Sequence, residues 1–120
     1  MNKHLNRFLS LSDKDEIALL FKEGKSINIF PIKVVWINHK SEEKGTKLLI
    51  AVPKKAIKKA VDRNKIKRQL KEIYLKNILN KYTRDKNYNL GIIYIADKKV
   101  TFNTLESILI KIFNELTNSQ

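Results

Sequence analysis

Cysteine is missing altogether from this chain of 120 residues. That excludes disulfides, thiol catalysis and cysteine-ligated zinc, and it suits a reducing compartment. Three glycines and two prolines leave no flexible or Pro-rich linker, and no repeat or low-complexity tract is visible. Aromatics make up 8% of the chain within a hydrophobic share of 42%, so aliphatic side chains must carry the packing. No apolar run approaches the ~20 residues that span a bilayer. The opening MNKHLNRFLSLSDKDE has too short an apolar stretch for a secretory signal. The reading is therefore a single cytoplasmic domain over 1–120, with frayed termini at 1–11 and 118–120 and no membrane partner. Acidic residues are also few, 12 against 25 Lys plus Arg, for a formal net charge of +13. A field of one sign on so small a body attracts polyanions.

Residues 13–23 read as a helix. Ser12 is the expected N-cap, Asp13, Asp15 and Glu16 suit the positive end of the dipole, and Gly24 fits the stop. KSINIF and, after Pro31, IKVVWIN are β-branched and read as strands. A polar turn, NHKSEEKGT, predicts a hairpin from IKVVWIN to the next strand, KLLIAV. A long helix follows, from about Ile57 or Ala60 to near Asn80. After the polar loop KYTRDKNYN comes the strand LGIIYIA. The last helix is expected to start at Asn103, with Glu106 completing a capping box, and its apolar stripe is Leu105, Ile108, Leu109, Ile112 and Leu116. The order α-β-β-β-α-β-α predicts a small α/β (α+β) two-layer sandwich on a mixed four-stranded sheet. The strands flanking the long helix could pair in parallel through a crossover.

The charge is concentrated. Residues 54–71, KKAIKKAVDRNKIKRQLK, hold nine basic residues and one acidic, Asp62, so +8 of the +13 lies there. On a helix turning roughly 100° per residue, Ile66, Leu70 and Ile73 fall within roughly 60°. Asn64, Lys67, Arg68 and Lys71 fall in a separate arc, with Arg63 at its edge. One face is thus available to a core and another to a polyanion. An ordinary solvated helix face carries both signs in i,i+4 pairs, whereas here seven cations between Lys58 and Lys71 face a single acid. Asn64 can donate and accept, and the arginines offer planar forks to phosphate oxygens. On the strand IKVVWIN, Lys33, Val35 and Ile37 share one face. That face is either covered by a helix or open to single-stranded RNA.

The segment AVPKKAIKKAVDRNKIKRQLKEIY resembles the signature of the bacterial ribonuclease P protein family. The matching residues are Ala60, Arg63, Asn64, Lys65, Ile66, Lys67, Arg68, Leu70 and Lys71, after the pair Lys54-Lys55. LLFKEGKSI resembles the end of that family's first helix. Lys65 stands where the family usually has Arg, keeping the charge without the fork, and Pro53 stands where Ser is frequent. The resemblance covers about residues 12–117. It implies a left-handed βαβ crossover, against the general rule. It implies a subunit of a ribonucleoprotein endonuclease that matures the 5′ ends of tRNA, with catalysis and bound Mg2+ chiefly in the RNA. On that footing Lys54, Lys55, Lys58, Lys59, Arg63, Asn64, Lys65, Lys67, Arg68 and Lys71 would meet the catalytic RNA. Ile17, Phe21, Lys33, Val35 and Ile37 would line a cleft for the leader of precursor tRNA. Where some members carry a second aromatic on the first helix, this chain has Ile17.

No protein active site is legible. His4 and His39 fall in a terminus and a polar loop, no Gly-rich phosphate loop appears, and the acids at 13–16 are explained by the helix start. A metal site in the protein and an obligate protein partner are not expected. Two other classes share the charge. A ribosomal-type structural RNA-binding protein would not require the Arg-Asn-basic run. A DNA-binding regulator would need a partner helix and turn before the basic helix, where the sequence reads as strand. A polyanion-binding chaperone has no particular feature here.

Overall fold

A computed structural model describes residues 9–118. The elements are β1 (Leu9–Ser10), α1 (Lys14–Glu23), β2 (Lys25–Ile29), β3 (Ile32–Asn38), β4 (Lys47–Ala51), α2 (Ala60–Ile73), β5 (Tyr88–Tyr94) and α3 (Phe102–Asn118). Between α2 and β5 the helix continues over Tyr74–Thr83 with wider turns of the i→i+5 type. The sheet order is β1-β4-β5-β3-β2. β1 and β4 pair in parallel, as do β4 and β5, while β3 is antiparallel to β5 and to β2. The sheet is mixed, as expected, and the short β1 adds a fifth strand to the expected four. Leu9–Ser10 is therefore strand where fraying was expected, and residues 1–8 and 119–120 lie outside the described residues.

The predicted hairpin between β3 and β4 does not form, because β5 lies between them. The sequence of β5, YNLGIIY, gives the reason: all its residues but one are buried. A run apolar on both faces belongs at the centre of a sheet, covered on both sides. The parallel β4–β5 pair, with α2 as crossover, is as expected.

Ile32, Val34 and Trp36 of β3, Leu48 of β4 and Leu90, Ile92 and Tyr94 of β5 face one layer. There they meet Ile66, Leu70 and Ile73 of α2 and Leu105, Leu109, Ile112 and Phe113 of α3. On the other face α1 covers part of the sheet, closing a smaller cluster of Leu11, Leu20 and Val35. The two-layer plan thus gains a partial third layer.

Local signals act through partners the sequence only partly reveals. Asp13, not Ser12, caps α1: its Oδ1 accepts from Asp15 N at 2.8 Å and Glu16 N at 3.0 Å, a bond set worth about 1 kcal/mol. Gly24 ends α1 with extended backbone (φ −70°). Its requirement is space, since a Cβ there would stand 2.4 Å from Leu20 O and 3.0 Å from Trp36 O. α3 starts at Phe102, and Thr101 Oγ1 accepts from Thr104 N. Glu106 instead accepts from Asn77 Nδ2 at 2.7 Å, so the expected Asn103 capping box is absent.

Beyond Ile73 the buried residues are Tyr74, Ile78, Leu79 and Thr83. At roughly 100° per residue these would spread over about half the helix circumference. The wider turn rotates less per residue and keeps them on one side. Thr83 Oγ1 donates to Leu79 O and accepts from the Tyr74 hydroxyl at 2.7 Å. Burial pushes that hydroxyl up to about 12, against a smaller opposing pull from the Thr83 bond.

Candidate nucleic-acid interface

β4 ends at Ala51, and Val52 still anchors in the core. The chain then turns: Pro53 O accepts from Ala56 N at 2.9 Å and Ile57 N at 3.1 Å. This turn leaves Lys54 and Lys55 exposed while Ile57 is buried. Lys58 and Lys59 follow, both exposed, and α2 begins at Ala60. Its apolar stripe, Ile66, Leu70 and Ile73, is buried as its spacing predicts. Stripe burial turns Asn64, Lys67, Arg68 and Lys71 outward on the side of β4.

These four residues form one wall of an open groove of about 480 Å³. The opposite wall is Ser10, Leu11, Leu48, Leu49 and Ile50. The groove therefore runs between α2 and the β1–β4 rim of the sheet, with an apolar floor and a cationic rim. A shallower depression continues along α2 over Arg68, Lys71, Glu72, Leu75 and Lys76. Lys65 is exposed but does not line this groove. The wall from Ser10 and Leu11 was missed in the sequence because residues 1–11 gave no strand signal: two residues cannot show alternation.

Asp62 does not balance the cations of its own helix. Its Oδ1 accepts from Lys99 Nζ at 3.4 Å, and Lys99 belongs to the loop after β5. Arg63 is half-buried, and Nη1 donates to the carbonyls of Ile57 and Lys58.

The second set of candidates lies on the α1 side of the sheet. Ile17, Lys33 and Ile37 are half-buried, and Phe21 is 48% exposed. Phe21 sits above Gly91, with Cζ 3.9 Å from where a Cβ on that glycine would stand. Half-buried Leu49 and Ile93 adjoin them. The open-or-covered alternative for this face resolves as partly covered. Val35 is the correction: at 3% exposure it lies under Leu11 and Leu20. It supports this surface from beneath and cannot line it.

A partly buried ion pair, missed in the sequence, fixes α1 to the sheet. Lys47 Nζ lies 3.2 Å from both carboxylate oxygens of Glu16, and Asn89 Nδ2 donates to Glu16 Oε2 at 3.4 Å. Glu16 is thus more than a helix-start acid. No spacing rule links positions 16, 47 and 89; only the fold joins them.

His39 is held in its loop. Nε2 donates to Gly45 O at 2.7 Å and Nδ1 accepts from Ser41 N at 3.2 Å. A carbonyl can only accept and an amide only donate, so the neutral Nε2–H tautomer is the one that fits. His4 lies outside the described residues. Among the described residues no three His, Cys, Asp or Glu side chains converge on a common point. None of their helices is long and apolar enough to cross a membrane.

The arrangement is a cationic helix face beside an apolar-floored groove, with an exposed aromatic on the other side of the same sheet. Comparison with known proteins agrees on a single family. The family model described as Ribonuclease P matches residues 5–117. The chain is 32% identical over 117 residues to the ribonuclease P protein component of Finegoldia magna, with 97% of each chain covered. It is 30% identical over 98 residues to that of Porphyromonas gingivalis, covering 78% of this chain and 72% of the other. Its fold matches the RNase P protein of Staphylococcus aureus with TM-score 0.76 at 22% identity, over 92% of this chain and 96% of that one. Against the RNase P protein from Thermotoga maritima the TM-score is 0.71 at 27% identity, over 88% and 96%.

Proposed function

Because this chain belongs to the ribonuclease P protein family, we propose that it binds the RNA of that ribonucleoprotein and assists RNA-catalysed removal of the 5′ leader of precursor tRNA. The observation that carries the reading is the outward face of α2, where Asn64, Lys67, Arg68 and Lys71 line a groove. Binding there releases counterions from the RNA phosphates, which supplies sequence-independent affinity and a steep salt dependence. Arg68 offers a bidentate fork, the lysines act as point charges, and Asn64 adds a group that both donates and accepts. Lys54, Lys55, Lys58, Lys59 and Lys65 extend the same field.

The leader is assigned to the α1 side. Phe21 offers a ring for base stacking, Ile17 and Ile37 offer apolar contact, and Lys33 offers charge. Stacking on such a platform is worth about 1–3 kcal/mol per base. The protein's donor set does not fit a magnesium site, since its acids are dispersed or engaged: Asp13 caps α1, Glu16 holds Lys47 and Asp62 holds Lys99. The Mg2+ ions are therefore assigned chiefly to the RNA. By neutralising phosphates, the protein lowers the magnesium concentration at which the RNA works and tightens its grip on the substrate.

The test is cleavage of a precursor tRNA at low magnesium by protein alone, by a bacterial ribonuclease P RNA alone, and by both. Cleavage at the mature 5′ end only with both is the expected result. No stimulation by folded protein, together with specific binding to ribosomal RNA, would overturn the assignment.

A further inference from the structure

Arg63 belongs to the signature run, where its fork would ordinarily be counted among the phosphate contacts. Its bonds point elsewhere. Three consecutive carbonyls accept from this one residue. Nη1 donates to Ile57 O at 3.1 Å and to Lys58 O at 2.7 Å, and the backbone N–H donates to Lys59 O at 3.0 Å. A guanidinium Nη carries two hydrogens, and both are used here.

The segment held this way is the connection from β4 to α2. At one end the turn on Pro53 O fixes Ala56 and Ile57. At the other, Lys59 is the N-cap of α2 and makes no side-chain capping bond. Helices usually define their start with Ser, Thr, Asp or Asn at that position. Here nothing local does so, and four lysines, 54, 55, 58 and 59, repel one another across six residues without an acid among them. Left to itself such a segment would spread. Ordering it only when RNA arrives would draw its backbone conformational entropy out of the binding energy.

We propose that Arg63 is a positioning residue. Its guanidinium clamps residues 57 and 58 from inside the helix and so presents Lys54, Lys55, Lys58 and Lys59 as one preorganised set to successive phosphates of the RNA. Its own contact with phosphate is secondary. The proposal rests on the reading of this chain as an RNA-binding subunit, and it adds that one signature cation works through its neighbours. Preorganisation raises affinity by removing an ordering cost, without a new contact.

The test compares wild type, Arg63→Ala, Arg63→Lys, a variant with all four lysines changed to Ala, and that variant combined with Arg63→Ala. Lysine at 63 keeps the charge, but its side chain is one atom shorter than the path to Nη1. The first measurement is amide exchange in the free protein. Both Arg63 variants should exchange the amides of Ala56 and Ile57 about tenfold faster, since losing local hydrogen bonds raises local opening. The second is the salt dependence of binding to a bacterial ribonuclease P RNA transcript, with an unrelated RNA duplex beside it. Arg63→Lys, which keeps the charge, should weaken binding about tenfold with the slope of log K against log salt unchanged, and Arg63→Ala should weaken it at least as much while lowering the slope by no more than the ~0.9 of a single phosphate contact. In the four-lysine background, Arg63→Ala should weaken binding far less than it does in the wild type.

The clamp is overturned if the exchange of Ala56 and Ile57 is unmoved. It is equally overturned if Arg63→Lys binds like wild type while Arg63→Ala loses one contact additively with the lysines. Equal wild-type binding to transcript and duplex would sink the subunit reading instead, and the same affinities measured on the duplex would still decide the clamp.

Discussion

The two ends of the sheet are built on opposite principles. At the end where β4 and β5 begin, residues 39–46 and 84–87 carry four basic and three acidic side chains, and their polar groups satisfy one another. Gly45 N donates to Asn87 Oδ1, and His39 N donates to Asn87 O. Thr46 Oγ1 meets the carbonyls of Thr83 and Lys86 and accepts from Tyr88 N. At the end where β4 leaves for α2, residues 53–59 carry four lysines and no acid. There the hydrogen bonds go to the backbone and leave the charges outward. One end closes the fold; the other is stabilised in shape and left incomplete in charge. A polar group that contributes to stability is therefore recognised by its protein partner, and the cations proposed to bind RNA by a well-held backbone beneath an outward charge.

This contrast can be broken most directly at the cationic end. Changing Lys54, Lys55, Lys58 and Lys59 to Ala should weaken binding to ribonuclease P RNA by on the order of a few hundredfold at 0.15 M salt, as four lost phosphate contacts imply. The melting curve should hardly move, because exposed substitutions are usually within ±0.5 kcal/mol each. Salt-dependent titration and thermal unfolding on the same samples check both halves. A large drop in stability would show that the lysines are structural and erase the contrast.

The closed end should answer to pH. The folded chain keeps the Tyr74 proton until about pH 12 because burial disfavours the phenolate, whereas an unfolded tyrosine releases it near pH 10. Between these values the unfolded state binds fewer protons. The stability tied to Tyr74 is therefore full below pH 10 and is lost as pH rises through about 12, by on the order of 3 kcal/mol. Burial raises Tyr88 and Tyr94 in the same direction. Denaturant unfolding from pH 9 to 12 should show the fall, and Tyr74→Phe should flatten it.

Thr46→Val sharpens the comparison from the same end. It removes the hydroxyl that meets Thr83 O, Lys86 O and Tyr88 N, and should cost about 1–3 kcal/mol with no change in the RNA salt slope. A changed slope would mean that this end also meets the RNA. The smallest effect belongs to Asp62→Asn, which frees Lys99. An ion pair this exposed should alter stability by less than about 1 kcal/mol. RNA affinity should rise slightly with the loss of the one acid in residues 54–71, as filter binding would show.

Elements whose signal lies within one segment were legible in the sequence. The α3 stripe, the strands of β2 to β4 and the burial of Ile66, Leu70 and Ile73 follow from local composition and periodicity, and the parallel β4–β5 pair from the helix that separates the two strands in the chain. The signature run located the cationic face by charge density. What escaped depends on segments far apart in the chain. β5 displaced a hairpin that turn chemistry favoured, because two-sided burial outweighs a short connection. Gly24 was read as a conformational stop, whereas the carbonyls of Leu20 and Trp36 demand its small size. Val35 shares alternation with Lys33 and Ile37, yet the closure of Leu11 and Leu20 over it depends on where α1 docks. Arg63 looked like its neighbours in the run, and only the path of residues 57–59 shows which way its fork turns.

The short β1 has a consequence for how copies of the protein behave together. Among the described residues it gives one rim of the sheet only two residues of strand, whereas the opposite rim is β2, five residues long. A neighbouring molecule seeking to extend the sheet would find its template at β2. To dock there it must bring a second body of charge +13 close to the first. That repulsion reaches about 30 Å at 0.01 M salt and only about 3 Å at 1 M. The charge proposed to gather RNA thus also guards an open strand against its own kind. Concentrated salt lifts that guard, and so does a bound polyanion that neutralises the field.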